Sequence, residues 1–350
     1  MFRRSALQRL GRTAPPTPRR VSRLSTESWR YSYLSKHPEE SKPQIPYQPG
    51  VILTAQTYTP PALPKFDYSW AQGKVEEDIA RLHPLQACLA HPPAEGTPGK
   101  ETIELKIRRP IRMRDPSNSQ LVQVEVVHRE GNDAGLPVFH HPSGVVAAKF
   151  YDPLYYDYDD GRPDPFANTD AAFAYETVAY QHLQPVYGIL VPRFIGSYSV
   201  NIAIPGIIPS SRPVRCILYE YVAGTALHDM EIEDYSTSQR QAIMSAILDA
   251  HSVLWQMDVS HRDIHPRNVI VVSAVEGQKA DIRLIDFNMA ECGKRAERKG
   301  HVPTMELEPR SAIVNRWRDE DMRNWMLDFA WLVDWPWNDW LDNEYAKERM

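Results

Sequence analysis

The chain has 350 residues, 42% of them hydrophobic and 24% charged, which is an ordinary balance for a globular protein with a sizeable core. Its net charge is −5, but residues 1–30 carry eight arginines and one glutamate, a net of +7, which leaves −12 for the rest of the chain. An acidic body argues against nonspecific nucleic-acid binding, and no apolar run is long enough to cross a membrane as a helix.

The first 65 residues predict a disordered, basic and proline-rich extension. Residues 31–64 have the composition of an extended linker, because 14 of the 30 prolines lie in the first 100 residues. The arginine-rich head, with Phe2, Leu7 and Leu10 on a short apolar stripe, is typical either of a mitochondrial transit peptide or of a disordered basic tail. The three cysteines lack metal or redox spacing and indicate a reducing compartment. We therefore expect a cytoplasmic protein, with a mitochondrial location as the alternative.

Residues 66–100 predict an accessory segment. Within it, Tyr68–Leu85 has apolar side chains near helical spacing, which favours a single helix docked on the domain that follows. A second proline- and glycine-containing linker, His91–Lys100, comes next. The folded part is expected to begin near Glu101.

Residues 101–222 predict a small lobe made mainly of strands. Helical spacing of apolar side chains indicates one helix at Asp170–Leu183. Apolar and strand-like stretches indicate strands at Ile103–Ile107, Val122–Val126, Val145–Tyr151, Gly188–Ser199 and Arg215–Val222. Residues 223–350 have mainly helical patterns, in which Ser236 and Gln239 fit a capping box and Ile243–Leu254 presents one apolar face. Strands first and helices afterwards indicate an α+β fold with two lobes.

Two further segments have two interpretations each. Tyr151–Asp164 is crowded with tyrosine and aspartate, which is typical of a solvated acidic insertion, although it could also hold a cation or a basic substrate. The tail contains six of the nine tryptophans, and Trp335–Trp340 could line a cleft. A helical stripe in the same tail instead indicates a helix that covers the core, and it consists of Met322, Trp325, Phe329 and Leu332.

The most informative stretch is the run from His261 to Asn268, followed by Ile285-Asp286-Phe287-Asn288. Asp263 can receive an acceptor's proton, while Asn268 and Asp286 can hold metal ions on nucleotide phosphates. Apolar strands before and after the intervening polar turn would bring the three side chains into one site. Arg267 is either the cation that neutralises charge on the moving phosphoryl group or a surface arginine. His261 is expected to be a packed, hydrogen-bonded side chain.

This constellation resembles the protein-kinase-like superfamily, and the resemblance extends to the preceding lobe. Val146-Ala147-Ala148-Lys149 is similar to the third-strand motif, where the lysine binds nucleotide phosphates and a small residue such as Ala147 leaves room for adenine. Glu176 resembles the helix glutamate that pairs with this lysine. Leu218–Gly224 resembles the hinge between lobes, where backbone groups around Glu220 and Val222 would bond to adenine. The plainer alternatives are a strand-edge lysine, a solvated helix carboxylate and an ordinary loop.

The chain departs from the protein-kinase pattern in four ways. Arg114–Gln120 stands where the glycine-rich phosphate loop is expected and contains no glycine. His265-Pro266 resembles the aminoglycoside and choline phosphotransferase branch. Asn288 replaces the glycine expected after Asp286-Phe287, which makes an in/out flip of this segment less expected. Only 64 residues follow Asp286, without an Ala-Pro-Glu motif, so the platform for a peptide substrate is reduced or missing.

The resemblance implies a two-lobed kinase-like fold with a strand lobe at 101–222 and a reduced helical lobe at 223–350. It also implies that ATP and Mg²⁺ bind in the cleft and that the γ-phosphoryl group moves to an acceptor hydroxyl, either a protein Ser/Thr or a small molecule. The alternative is a pseudokinase that binds nucleotide as a scaffold without turnover. A nucleic-acid-binding protein led by its basic head is a third class, disfavoured by the acidic body.

Overall fold

The computed structural model of the protein describes residues 42–62, 73–130, 145–156, 164–206, 209–293, 304, 312–314, 317 and 328–345. They lie in the larger of the chain's two compact units, Lys42–Met350. The basic head, residues 157–163 of the acidic insertion, and Met322 and Trp325 of the tail stripe fall outside the described residues.

Six antiparallel strands close into a barrel that forms the first lobe. They are β1 Ile52–Thr59, β2 Thr97–Arg112, β3 Gln120–Glu130, β4 Val145–Tyr151, β5 Phe194–Ala203 and β6 Ser211–Glu220. The strand order is β1-β2-β3-β4-β6-β5, and β1 closes the barrel by pairing with both β2 and β5. The five strands predicted within 101–222 are present, although β5 begins later than expected because residues 188–190 form a turn.

The linkers predicted before and after the accessory helix are wrong in part. β1 lies inside the segment expected to be linker, and β2 begins at Thr97 rather than after Lys100. Strand β1 has no clear apolar alternation, because only Ala55 and Tyr58 of this strand are buried. Its conformation is set by pairing, with Leu53 opposite Leu105 and Gln56 opposite Ser199. Tertiary pairing therefore overrides a weak local pattern.

Strand β4 lies between the two largest hydrophobic cores. Val146, Ala148 and Phe150 point into the barrel interior. Ala147 and Tyr151 belong instead to the core shared with the helices. This alternation confirms that Ala147 and Lys149 lie on one face of the strand, and it places that face toward the second lobe.

Three helices pack on the outside of the barrel: α1 Lys74–Arg81, α2 Pro84–Ala90 and α3 Pro165–His182. The single helix predicted at Tyr68–Leu85 is wrong, because the described part of this segment breaks before Pro84, which begins α2 at its first position. The helix predicted at Asp170–Leu183 is confirmed as α3. It begins five residues earlier, where Asp164 accepts from the backbone N–H groups of Phe166 and Ala167 as an N-cap.

The second lobe is mainly helical, which confirms the two-lobed α+β kinase-like fold. Its elements are β7 Thr225–Ala226, α4 Thr237–Gln256, β8 Val259–Ser260, β9 Val269–Ser273, β10 Asp281–Leu284, β11 Glu291–Cys292 and α5 Trp337–Tyr345. The capping box of Ser236 and Gln239 starts α4 as predicted. Gly224 lets the chain between the lobes lie against β9, because a Cβ there would stand 2.6 Å from the carbonyl oxygen of Val271.

The described part of the tail covers α4. Leu341 and Tyr345 of α5 join Leu248 and Trp317 in one apolar cluster. Phe329 and Leu332 of the predicted stripe are buried in the core of the second lobe. Trp335 contacts Trp340 and lies under the guanidinium of Arg240 on α4. Among the described residues, no helix is both long and apolar enough to cross a bilayer.

Candidate active site

Lys149 and Glu176 form a buried ion pair at the base of the cleft. The ammonium Nζ lies 2.5 Å from Glu176 Oε2, and their side chains are 2% and 0% exposed. Tyr151, two positions along β4 on the same face, donates its hydroxyl to the same oxygen at 2.6 Å. Burial raises the pKa of Glu176, and Lys149 opposes that effect. The helix glutamate is therefore partnered as the sequence predicted, by a lysine and a tyrosine together.

Asp286 lies on the other side of Lys149. Its Oδ1 accepts from Nζ at 2.6 Å, and its Oδ2 lies 3.6 Å from a guanidinium nitrogen of Arg112. Burial alone would raise the pKa of Asp286, but the two cations outweigh it and hold this pKa well below its usual value. For Lys149, burial opposes the charge, but Asp286 and Glu176 together raise its pKa. Both Lys149 and Asp286 are thus held in their charged forms.

The backbone at Asp286 has φ 67°, a left-handed conformation that aspartate tolerates better than most residues. The residues before and after Asp286 both contact other parts of the protein. The Ile285 N–H donates to the Asn268 carbonyl at 3.0 Å, and buried Phe287 packs against the rings of His261 and Tyr180. The loop that carries Asp286 is therefore joined directly to the loop that carries Asn268.

The catalytic-loop candidates converge on Asp263. Asn268 donates through Nδ2 to the Asp263 carboxylate at 3.0 Å and to its carbonyl at 2.9 Å. Arg267 donates to both carboxylate oxygens of Asp263 at 2.9 Å. The amide nitrogen of Asn268 is thus engaged, and its carbonyl oxygen is the atom that can ligate a cation. The Asp263 side chain is 27% exposed, so an acceptor can reach it.

His261 has the packed role that its position predicted. It is buried, and its Nε2 lies 3.0 Å from the Ile285 carbonyl oxygen. Burial lowers its pKa below the usual value, so the neutral ring donates this hydrogen bond. The ring therefore supports the Asp286 loop, and the neighbouring Arg262 is exposed with φ 66°.

The proposed adenine side of the cleft is formed by β4 and the end of β6. Ala147 lies opposite Tyr219, and Tyr219 stacks on Tyr180 of α3. The Glu220 N–H donates to the Arg193 carbonyl at 2.8 Å, while its carboxylate accepts from the Arg193 N–H at 3.0 Å. The Glu220 N–H is thus engaged within the protein, so its carbonyl and the half-buried Val222 remain the candidate contacts for adenine.

Two residues near the phosphate end were missed by sequence reasoning. Tyr151 could have been found, because it follows Ala147 and Lys149 in the same alternation. Arg112 could be found only with the strand register: it lies opposite Leu121, which lies opposite Lys149 on the next strand. Among the described residues, no group of three His, Cys, Asp or Glu side chains is placed to hold a metal. One carboxylate and one amide next to nucleotide phosphates are nevertheless a donor set that suits Mg²⁺.

Two comparisons with known proteins bear on this site. Residues 203–307 match the protein kinase domain family. The chain is also 29% identical over 85 residues to serine/threonine-protein kinase 17A of Oryctolagus cuniculus, covering 23% of this chain and 21% of that protein. Both matches support the protein-kinase-like superfamily. The chain matches about a fifth of this relative's length. Neither match bears on the aminoglycoside and choline phosphotransferase branch suggested by His265-Pro266.

The kinase-domain match includes the hinge, Asp263, Asn268 and Asp286, but within the strand lobe it covers only β6 and the last residue of β5. The kinase-like character of Lys149 and Glu176 therefore rests on geometry: a buried lysine on the fourth strand, paired with a helix carboxylate and with Asp286.

Proposed function

We propose that this chain is an ATP- and Mg²⁺-dependent phosphotransferase that moves the γ-phosphoryl group to an acceptor hydroxyl. The observation that carries the proposal is the convergence of Lys149, Glu176 and Asp286 from one side with Asp263 and Asn268 from the other. The two groups are joined by the Ile285–Asn268 backbone hydrogen bond. Such a site works by positioning and by charge stabilisation, with little covalent chemistry for the protein to perform.

The residues fit a magnesium-bound nucleotide, because Asp286 is held ionised and the side-chain oxygen Oδ1 of Asn268 lies on the adjoining loop. Bound Mg²⁺ would neutralise charge between the phosphates. Lys149 would hold the phosphates from the opposite side, fixed in place by Glu176 and Tyr151. Glu220 and Val222 would contact adenine through backbone groups.

Asp263 is assigned as the group that receives the acceptor's proton. Arg267 donates to both of its carboxylate oxygens and Asn268 donates to one, so the carboxylate is held in a single orientation. Arg267 is exposed on its outer side, so it can also meet charge that develops on the moving phosphoryl group. A positioned general base contributes typically about 10²–10⁴-fold to a rate.

The acceptor class has two candidates. The kinase relative is named for serine and threonine, which favours a protein hydroxyl. His265-Pro266, which resembles the aminoglycoside and choline phosphotransferase branch, favours a small molecule. Radiolabelled ATP offered with a peptide library and with pooled metabolites distinguishes the two. Asp263→Asn is the blank, and Asp281→Asn, which changes a half-exposed aspartate on β10, is the matched control. Label transfer that persists in Asp263→Asn would contradict the assignment of Asp263 as the group that receives the acceptor's proton.

A nucleotide-binding pseudokinase is the second candidate, favoured by the engagement of Asp286 with two cations and by the glycine-free loop. Thermal shift measurements separate the two functions. Mg-ATP should raise the melting temperature in either case, but only the enzyme consumes ATP when an acceptor is supplied. A stabilised protein that transfers no label to any acceptor class would favour the scaffold.

A further inference from the structure

We infer that Arg112 is a second phosphate-binding cation that takes the place of the backbone amides of a glycine-rich loop. The inference rests on the proposed nucleotide site. It assigns a role to a side chain at the end of β2 that neither the motif pattern nor the kinase-domain match includes.

The loop that follows Arg112 is closed on itself. The buried side-chain amide of Gln120 accepts from the Arg114 N–H at 2.9 Å and donates to the Arg114 carbonyl at 2.8 Å. The Ser117 N–H donates to the Tyr155 carbonyl at 2.7 Å, and the Ser117 hydroxyl donates to the Ser119 carbonyl at 2.8 Å. Two backbone N–H groups of the loop are therefore committed to protein acceptors. Side chains also keep this backbone farther from a phosphate than glycines would.

The side chain of Arg112, the last residue of β2 before this loop, extends toward Asp286 in the cleft. It shares a cross-strand row with Leu121 and Lys149, and residues in such a row lie on the same face of a sheet. Its terminal nitrogen lies 3.6 Å from Asp286 Oδ2 and donates to the Ser119 hydroxyl at 3.2 Å. Lys149 and Arg112 thus stand on either side of one carboxylate, at the end of the cleft where the phosphates would lie.

The guanidinium still has unused hydrogen-bonding capacity. Its Nε atom is buried and has no hydrogen-bond partner among the described residues, although a buried N–H of a charged group is costly to leave unsatisfied. The contact with Asp286 is longer than a normal hydrogen bond. The Arg112 side chain is 36% exposed, so an oxyanion beside Asp286 can reach its terminal nitrogens. The planar guanidinium suits phosphate oxygens better than a single ammonium does.

The test is equilibrium binding of ATP, ADP and adenosine to the full chain, each with Mg²⁺ and with EDTA. Arg112→Gln is expected to weaken ATP and ADP about tenfold (~1.4 kcal/mol) and to leave adenosine unchanged. The loss should appear with and without the metal. Arg108→Gln is the matched control, because Arg108 is an arginine on the same strand that pairs with Glu125 at the surface. It should bind all three ligands as the unchanged chain does.

Three results would overturn the inference: equal ATP affinity in Arg112→Gln, a loss confined to the Mg²⁺ samples, or an equal loss for adenosine. The second would show that Arg112 acts only through Asp286, and the third that it supports the fold. A parent chain that binds no nucleotide would remove both the inference and the proposed function. A parent chain that binds ATP but phosphorylates nothing would remove the proposed reaction alone, and the affinities would still decide the role of Arg112.

Discussion

Replacing Lys149 by methionine should destabilise the protein far more than the loss of an ordinary lysine. The change keeps the length of the side chain but leaves Glu176, which is 0% exposed, without its cation. Removing one partner of a buried ion pair costs about 3–5 kcal/mol, because the other charge stays buried and uncompensated. Against a typical domain stability of about 5–15 kcal/mol, this cost is at least about a fifth of the total. Urea denaturation at pH 7 measures the difference directly.

The double variant Lys149→Met/Glu176→Gln makes the reasoning specific. In this variant position 176 is neutral, so the folded protein no longer buries a carboxylate there without a cation. We therefore expect its free energy of unfolding to be at least ~2 kcal/mol higher than that of the single variant. Lys279→Met is the surface control: Lys279 is 71% exposed and pairs with Asp249 at 2.9 Å, so its loss should cost about 0–1 kcal/mol. Equal stability of the single and double variants would refute the buried-pair argument.

The pH dependence of the Lys149→Met effect follows from the raised pKa of Glu176. Burial makes the folded protein favour the protonated carboxyl, so stability is lost as pH rises through this pKa. Without Lys149 to oppose burial, that loss should grow. The destabilisation should therefore be largest near neutral pH and shrink in acid. A penalty that is constant from pH 4 to pH 8 would contradict this cause.

Three further predictions concern the catalytic loop, the metal and helix α3. Asp263→Asn should leave ATP affinity within about twofold and lower phosphoryl transfer at least about 100-fold, measured by calorimetry and label transfer; a parallel loss of affinity would contradict its role as proton acceptor. Asp286→Ala should abolish the Mg²⁺-dependent part of the thermal shift given by ATP, and retention of that part would exclude Asp286 as a ligand. Burial raises the pKa of Asp170 from 3.8 to about 6, so its contribution to stability is lost as pH rises through that range, and Asp170→Asn should flatten the melting-temperature profile between pH 4 and pH 7. An unchanged profile would show that another group dominates the titration.

The grouping of Asp263, Asn268 and Asp286 was predictable because their spacing along the chain is local. Asp263, Asn268 and Asp286 are joined by one short hairpin, and Ala147 and Lys149 share a face through strand alternation alone. The capping box that starts α4 was predictable for the same reason, since both of its hydrogen bonds join residues three positions apart.

Long-range features were not predictable from pattern. The place of Arg112 beside Asp286 depends on the register of three strands, and strand β1 has too few buried side chains to show alternation. The break between α1 and α2 carried a usable signal in Pro84, which outweighs the apolar spacing that suggested one helix. The role of Arg267 stays a prediction, and its contact with both Asp263 oxygens through one guanidinium nitrogen depends on loop geometry that spacing does not specify.

The closed barrel makes the choice of fragment critical for anyone who expresses part of this chain. A piece that starts at Glu101 would lack β1, so β2 and β5 would each present an unpaired edge to solvent. Exposed edges of this kind recruit strands from other chains and promote aggregation. If such a piece is insoluble, the cause would be the missing strand and not an unstable kinase-like lobe. We expect a soluble fragment to retain the chain from Lys42 onward. Since β1 meets β5 at only three paired positions, against seven with β2, hydrogen exchange in the intact protein should be fastest along the β1–β5 contact.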